Sequence, residues 1–106
     1  MNLEISAILA ELRSCFESIY GDRLRQLVLF GSQARGDTEP GSDIDILVVL
    51  RGTVKPGEEI ARTGTITAAL SLKYDVVISC AFVSEERYNT EHSPLLLNVR
   101  KEGVPA

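Results

Sequence analysis

The run Leu27-Val28-Leu29-Phe30 contains no polar residue, and this constrains the fold more than any other feature of the chain. A strand with one wet face alternates apolar and polar side chains, whereas a strand covered on both faces reads as a continuous apolar run. Leu24–Phe30 is therefore expected as a covered strand, broken sharply by Gly31-Ser32. Asp43–Leu50 reads as a second largely apolar strand and Asp75–Phe82 as a third, each opened by an acid.

Helical patterns flank these strands. Ile5, Ile8, Leu12, Cys15, Phe16 and Ile19 recur at three- and four-residue spacing across residues 3–20, an amphipathic helix that Gly21 stops. A short helical turn through Ala34-Arg35 runs into Gly36, and Asp37–Ser42 reads as a loop around Pro40-Gly41. After a polar connection, Arg51–Gly57, a helix is expected over residues 58–72, marked by Ile60, Ile66, Ala69 and Leu70. Ser84 suits the N-cap of a short helix, and Pro94 suits the first turn of a last one ending at Gly103. The order helix, strand, strand, helix, strand, helix, helix predicts an α/β (α+β) fold, a small mixed sheet with helices packed on one side.

Bulk properties narrow the function. With 106 residues, 44% hydrophobic and 25% charged, the chain reads as a single globular domain over residues 1–106. Its net charge of −4 and lack of a Lys/Arg cluster argue against binding long nucleic acid, whose grip needs a basic footprint. A small polyanion such as ATP, arriving with its own Mg²⁺, stays compatible. Cys15 and Cys80 follow no metal-ligand spacing and read as free buried thiols of a reducing compartment. No basic segment precedes an apolar stretch at the N-terminus, and no run nears the roughly 20 residues that span a bilayer. A cytoplasmic protein without membrane contact is expected.

Three features carry candidate chemistry. Gly31-Ser32 ends a covered strand and enters a helical turn, where backbone N–H groups and the Ser32 hydroxyl form a phosphate cradle. An ordinary strand-to-helix turn would look the same. In Ser42-Asp43-Ile44-Asp45-Ile46-Leu47, Asp43 and Asp45 share one strand face, with α-carbons about 6.6–6.8 Å apart. Two like charges there repel unless a cation compensates, and Mg²⁺ takes one or two carboxylates together with substrate phosphates. A solvated strand end is the plainer reading. Asp75, opening the third strand, would bring a third carboxylate to the same edge if the strands are neighbours, an arrangement suited to two metal ions.

Gly31-Ser32-Gln33-Ala34-Arg35-Gly36 followed by Ser42-Asp43-Ile44-Asp45 resembles the signature of the DNA polymerase beta nucleotidyltransferase superfamily. Within it the chain is most similar to the minimal nucleotidyltransferases, often encoded beside an HEPN-domain protein, and the closing segment Pro94–Gly103 resembles that family's last helix. The resemblance implies that Gly31 and Ser32 hold the β- and γ-phosphates of a nucleoside triphosphate. It implies that Asp43 and Asp45 bind metal, that Asp75 completes a catalytic trio, and that Arg35 either touches phosphate or braces the loop. The implied reaction moves a nucleoside monophosphate, AMP from ATP, with Mg²⁺ onto a hydroxyl of a partner protein. That partner would be an HEPN-domain toxin, which makes this chain its antitoxin. Two rivals stand beside this reading: a small-molecule nucleotidyltransferase of the aminoglycoside type, for which the chain is short, and an antitoxin that acts by contact alone.

Overall fold

The structure, a computed structural model, describes residues 3–35 and 43–106. The first helix, α1 (Leu3–Tyr20), turns Ile5, Ile8, Leu9, Leu12, Phe16 and Tyr20 inward, as its spacing requires, and a 3-10 turn at Gly21–Arg23 ends it. There follow β1 (Leu24–Phe30), a single helical turn α2 (Ser32–Arg35) and β2 (Ile44–Leu50). After β2 come α3 (Pro56–Tyr74), β3 (Ile78–Ser84), α4 (Glu85–Thr90), α5 (Pro94–Glu102) and a two-residue strand β4 (Val104–Pro105). The expected loop over Asp37–Ser42 lies outside the described residues.

The sheet is mixed, with strand order β3-β2-β1-β4. β1 runs antiparallel to β2 and to β4, while β2 and β3 are parallel, joined by the crossover helix α3 as parallel neighbours require. β2 therefore lies in the interior of the sheet, and six of its seven residues are buried; Asp45 is the exception. Ile44, Ile46, Val48 and Leu50 face α1 and α3, where Phe16 stacks on Phe82 of β3 at 6.4 Å between ring centres. Side chains alternate across a strand, so Leu47 and Val49 face the other way, into a second cluster with Val28, Val83, Leu96 and Val99. The two long helices thus share one face, as expected, and α5 with Leu96 and Val99 covers part of the opposite face. Burying each of these large side chains contributes about 1.5–3 kcal/mol.

The end of α3 and the start of β3 differ from expectation for a common reason. α3 runs past residue 72 to Tyr74, because Lys73 Nζ pairs with Glu11 of α1 at 2.7 Å and the Tyr74 hydroxyl donates to the same carboxylate. These ties hold the last turn of α3 on α1. Asp75 then takes a left-handed conformation (φ 53°) as the helix cap, its N–H donating to the Ser71 carbonyl, and Val76 N–H donates to that carbonyl at 3.0 Å. Pairing in β3 starts only at Ile78, so Asp75 does not open the strand, and Tyr74 is a helical rather than a strand residue.

The last strand was not anticipated. At Gly103 a side chain would meet Val99 O and Val28 Cγ1 within 2.5 Å, so only glycine lets the chain turn this tightly from α5 onto β1. Val104 and Pro105 then pair with Leu29 and Val28, and Arg13 of α1 donates two hydrogen bonds to the Ala106 carbonyl, at 2.9 and 2.7 Å. Ser84 caps α4 with its hydroxyl and Pro94 occupies the first turn of α5, both as expected, and the Ser93 hydroxyl caps α5. No helix among the described residues is long and apolar enough to cross a membrane.

One buried polar pair pins α3 to α1. Glu59 is 3% exposed, accepting a 2.7 Å hydrogen bond from the Tyr20 hydroxyl and a 3.1 Å one from Arg62 Nε. Burial, reinforced by the Glu59 carboxylate, pushes the Tyr20 phenol well above its ordinary range, so it stays a donor. Tyr20→Phe keeps the ring and removes the donor, leaving Glu59 with the half-exposed Arg62 alone. It is expected to cost about 1–3 kcal/mol, read as a lower urea midpoint with an unchanged slope. Burial also pushes the Cys80 thiol up to about 12. At pH 8 about one Cys80 in ten thousand is then a thiolate, and a disulfide reagent such as DTNB should modify it only after the chain unfolds.

Candidate active site

Antiparallel register sets the site. Phe30, the last residue of β1, stands opposite Asp45, the second residue of β2, so the Gly31 break and the two acids meet at one end of the sheet. Asp45 lies on the same face as Leu47 and Val49, which is the face α5 covers, yet it sits beyond the apolar cluster at the rim.

Gly31 is in the left-handed region (φ 76°), and a β-carbon there would stand 2.5 Å from Asp45 Oδ2. The glycine therefore does two things: it allows the turn from β1 into α2, and it leaves the space that the Asp45 carboxylate fills. Ser32 begins α2 directly after it, so the backbone enters a helical turn beside the carboxylate, the geometry a phosphate cradle needs. Arg35 closes α2; Gly36 and Ser42 lie outside the described residues.

Asp43 is exposed, one residue ahead of β2, and the Ile44 N–H donates to the Val77 carbonyl at 2.8 Å, which ties this end of β2 to the start of β3. The Asp45 carboxyl is held above its usual range, first by partial burial and then by the Asp43 charge. The two acids are thus close enough to repel, and the rim carries negative charge. Two hard oxygen donors at the edge of a cradle fit a Mg²⁺ ion that would complete its coordination with substrate phosphates.

The third acid expected at this rim does not stand on a strand. Asp75 is exposed at the cap of α3, three residues before β3 begins, and no group of three His, Cys, Asp or Glu able to hold a metal occurs among the described residues. In the parallel register the residue beside Asp45 is Ser79, also exposed. The described residues thus show a carboxylate pair, Asp43 and Asp45, with the Ser79 hydroxyl on the neighbouring strand and Asp75 at the helix cap ahead of that strand. The sequence concealed this because Asp75-Val76-Val77-Ile78 has the composition of a strand start, while the ties of Lys73 and Tyr74 to Glu11, which lie 62 and 63 residues away, decide that the helix ends there instead.

Comparison with known proteins bears on the whole chain. The family model for the nucleotidyltransferase domain matches residues 9–102. A curated relative, "Putative protein adenylyltransferase MJ0141" of Methanocaldococcus jannaschii, is 38% identical over 79 residues, covering 73% of this chain and 77% of its own. Among solved structures, one described as a minimal nucleotidyltransferase superposes with a TM-score of 0.60 at 26% identity, over 100% of this chain and 97% of that one. A chain from a mutant of the toxin–antitoxin MntA–HpeT superposes with a TM-score of 0.60 at 25% identity, over 99% of this chain and 72% of that one.

The close approach of Gly31 to Asp45 is measurable. Gly31→Ala should cost about 1–3 kcal/mol through the left-handed backbone alone, with a further loss from the collision with Asp45 Oδ2. In an Asp45→Ala background the collision disappears and the cost of Gly31→Ala should shrink. A double-mutant cycle by urea unfolding reads the difference, and an equal cost in both backgrounds would contradict the contact.

Proposed function

Since the chain belongs to the nucleotidyltransferase domain family, we propose that it transfers AMP from ATP to a hydroxyl of a partner protein, and that the partner is an HEPN-type toxin which this chain restrains as antitoxin. The Asp43–Asp45 pair beside Gly31 is the observation that carries the proposal. Mutually repelling acids at a rim, next to a backbone turn open to phosphate, suit a polyanion accompanied by a divalent cation and little else. The similarity to a protein adenylyltransferase supports AMP and a protein acceptor, and the similarity to a chain of a toxin–antitoxin pair supports a toxin as that acceptor.

In this reading Gly31 and the α2 N-terminus at Ser32 hold the β- and γ-phosphates, and Arg35 either touches phosphate or braces the loop. Asp43 and Asp45 would hold Mg²⁺, which when bound neutralises phosphate charge and eases departure of pyrophosphate. The acceptor oxygen attacks the α-phosphorus in line, the bond from that phosphorus to the bridging oxygen breaks, and pyrophosphate leaves. The hydroxyl proton passes to water at this open rim. The protein's part is to orient the α-phosphate and keep the attacking oxygen in line.

No group of three His, Cys, Asp or Glu able to hold a metal occurs among the described residues, which favours a second reading, in which the chain neutralises its partner by contact alone. One experiment separates them: incubate the protein with Mg²⁺, α-labelled ATP and the product of the neighbouring gene. Wild type should label the partner, and Asp43→Asn or Asp45→Asn should lower the labelling rate on the order of 100-fold or more. Neutralisation that persists in both variants without labelling would establish the contact mechanism instead.

A further inference from the structure

A groove with a volume of 190 Å³ opens beside the carboxylate pair, lined by Phe30, Gly31, Leu95, Asn98, Val99 and Glu102. Its α5 wall is regular: positions 95, 98, 99 and 102 follow the i, i+3, i+4, i+7 pattern of a single helix face. The β1 wall is the Phe30-Gly31 end of the strand. Gly31 is thus a wall common to the groove and to Asp45, which a Gly31 side chain would strike. Phe30 is the register partner of Asp45, and paired residues point to the same side of a sheet, so groove and acids lie on one face at one rim.

The chemistry of the lining selects among the parts of a nucleotide. Glu102 brings a carboxylate, an acceptor for hydroxyl donors, to the groove wall. Phe30 and Leu95 offer apolar surface, and Leu95 is 47% exposed, an uncovered leucine beside a polar site. Asn98 presents a carboxamide, whose donor and acceptor can pair with the amino group and ring nitrogen of an adenine edge. The volume is below the ~300 Å³ at which pockets for whole drug-sized ligands begin, so it suits one planar ring system rather than a complete nucleoside triphosphate.

Resting on the nucleotidyltransferase reading, we propose that this groove between the end of β1 and α5 receives the nucleoside of the substrate, the base lying against Phe30 and Leu95 with Asn98 reading its edge and Glu102 accepting from ribose hydroxyls. The α-phosphate then sits over Gly31, between the base in the groove and the β- and γ-phosphates at α2. Helix α5 becomes the element that chooses the base, while α2 and the acids handle phosphate common to all four nucleotides.

Titration calorimetry of the full chain with MgATP and with Mg-tripolyphosphate, which carries the phosphates without a nucleoside, tests this. Wild type should bind MgATP more tightly than Mg-tripolyphosphate. Leu95→Asp should weaken MgATP about tenfold more than it weakens tripolyphosphate, since the added charge acts on both ligands and the lost base-stacking contact on MgATP alone. Position 95 lies in the first turn of α5, where an acid is favourable, so this variant should keep its fold. Asn98→Ala should narrow the preference for ATP over UTP. Leu97→Asp, equally exposed on α5 but outside the groove, should change neither ligand. MgATP binding unaltered in both Leu95→Asp and Asn98→Ala overturns the groove assignment while leaving the transferase reading intact. Failure of wild type to bind either ligand overturns both.

Discussion

Everything in this fold hangs on β2 being covered on both faces. Placed between β1 and β3, with α1 and α3 on one side and the Leu96–Val99 cluster of α5 on the other, it has room for polar side chains only at its N-terminal end. That end is where Asp43 and Asp45 stand. The acids are held in place by a strand that cannot shift register, since a slip by one residue would drive Asp45 into the α1–α3 core and expose Ile44 and Ile46. A rigid strand end is a good mount for groups that must meet a ligand at fixed geometry.

Charge at the rim and permissiveness at Gly31 belong together. A carboxylate that is partly buried and faces a second one has its charged form disfavoured on both counts. Among the described residues, surface pairs such as Arg25–Glu85 and Arg87–Glu91 stabilise little. An incoming metal–nucleotide complex would supply the positive charge itself.

Much of the fold is legible in the residue order. The bounds of α1 and β1, the break at Gly31, the cap at Ser84 and Pro94 in the first turn of α5 follow from spacing, glycine and capping chemistry, all local causes. The C-terminal end of α3 follows from nothing local. Glu11 gathers Lys73 and Tyr74, and that tertiary tie holds the helix two residues past its expected end. β4 was hidden for a similar reason, since two residues have no period to read and their pairing depends on Gly103 lying against Val28. The Tyr20–Glu59 pair was equally invisible: a glutamate in a helix reads as solvated until a hydroxyl 39 residues away is found beside it.

The sequence by itself determined the family, the glycine turn after β1 and the acids that open β2, because Gly31-Ser32 and Asp43-Ile44-Asp45 each express their chemistry within a few residues. Tertiary structure alone decided what stands beside them. It left Asp75 at a helix cap, set Ser79 beside Asp45, and swung Leu95, Asn98 and Glu102 of α5 against the end of β1. Spacing along the chain fixes neighbours within a strand or a helix turn. Which elements then lie side by side is settled by where apolar faces find cover, and no short stretch of residues carries that information.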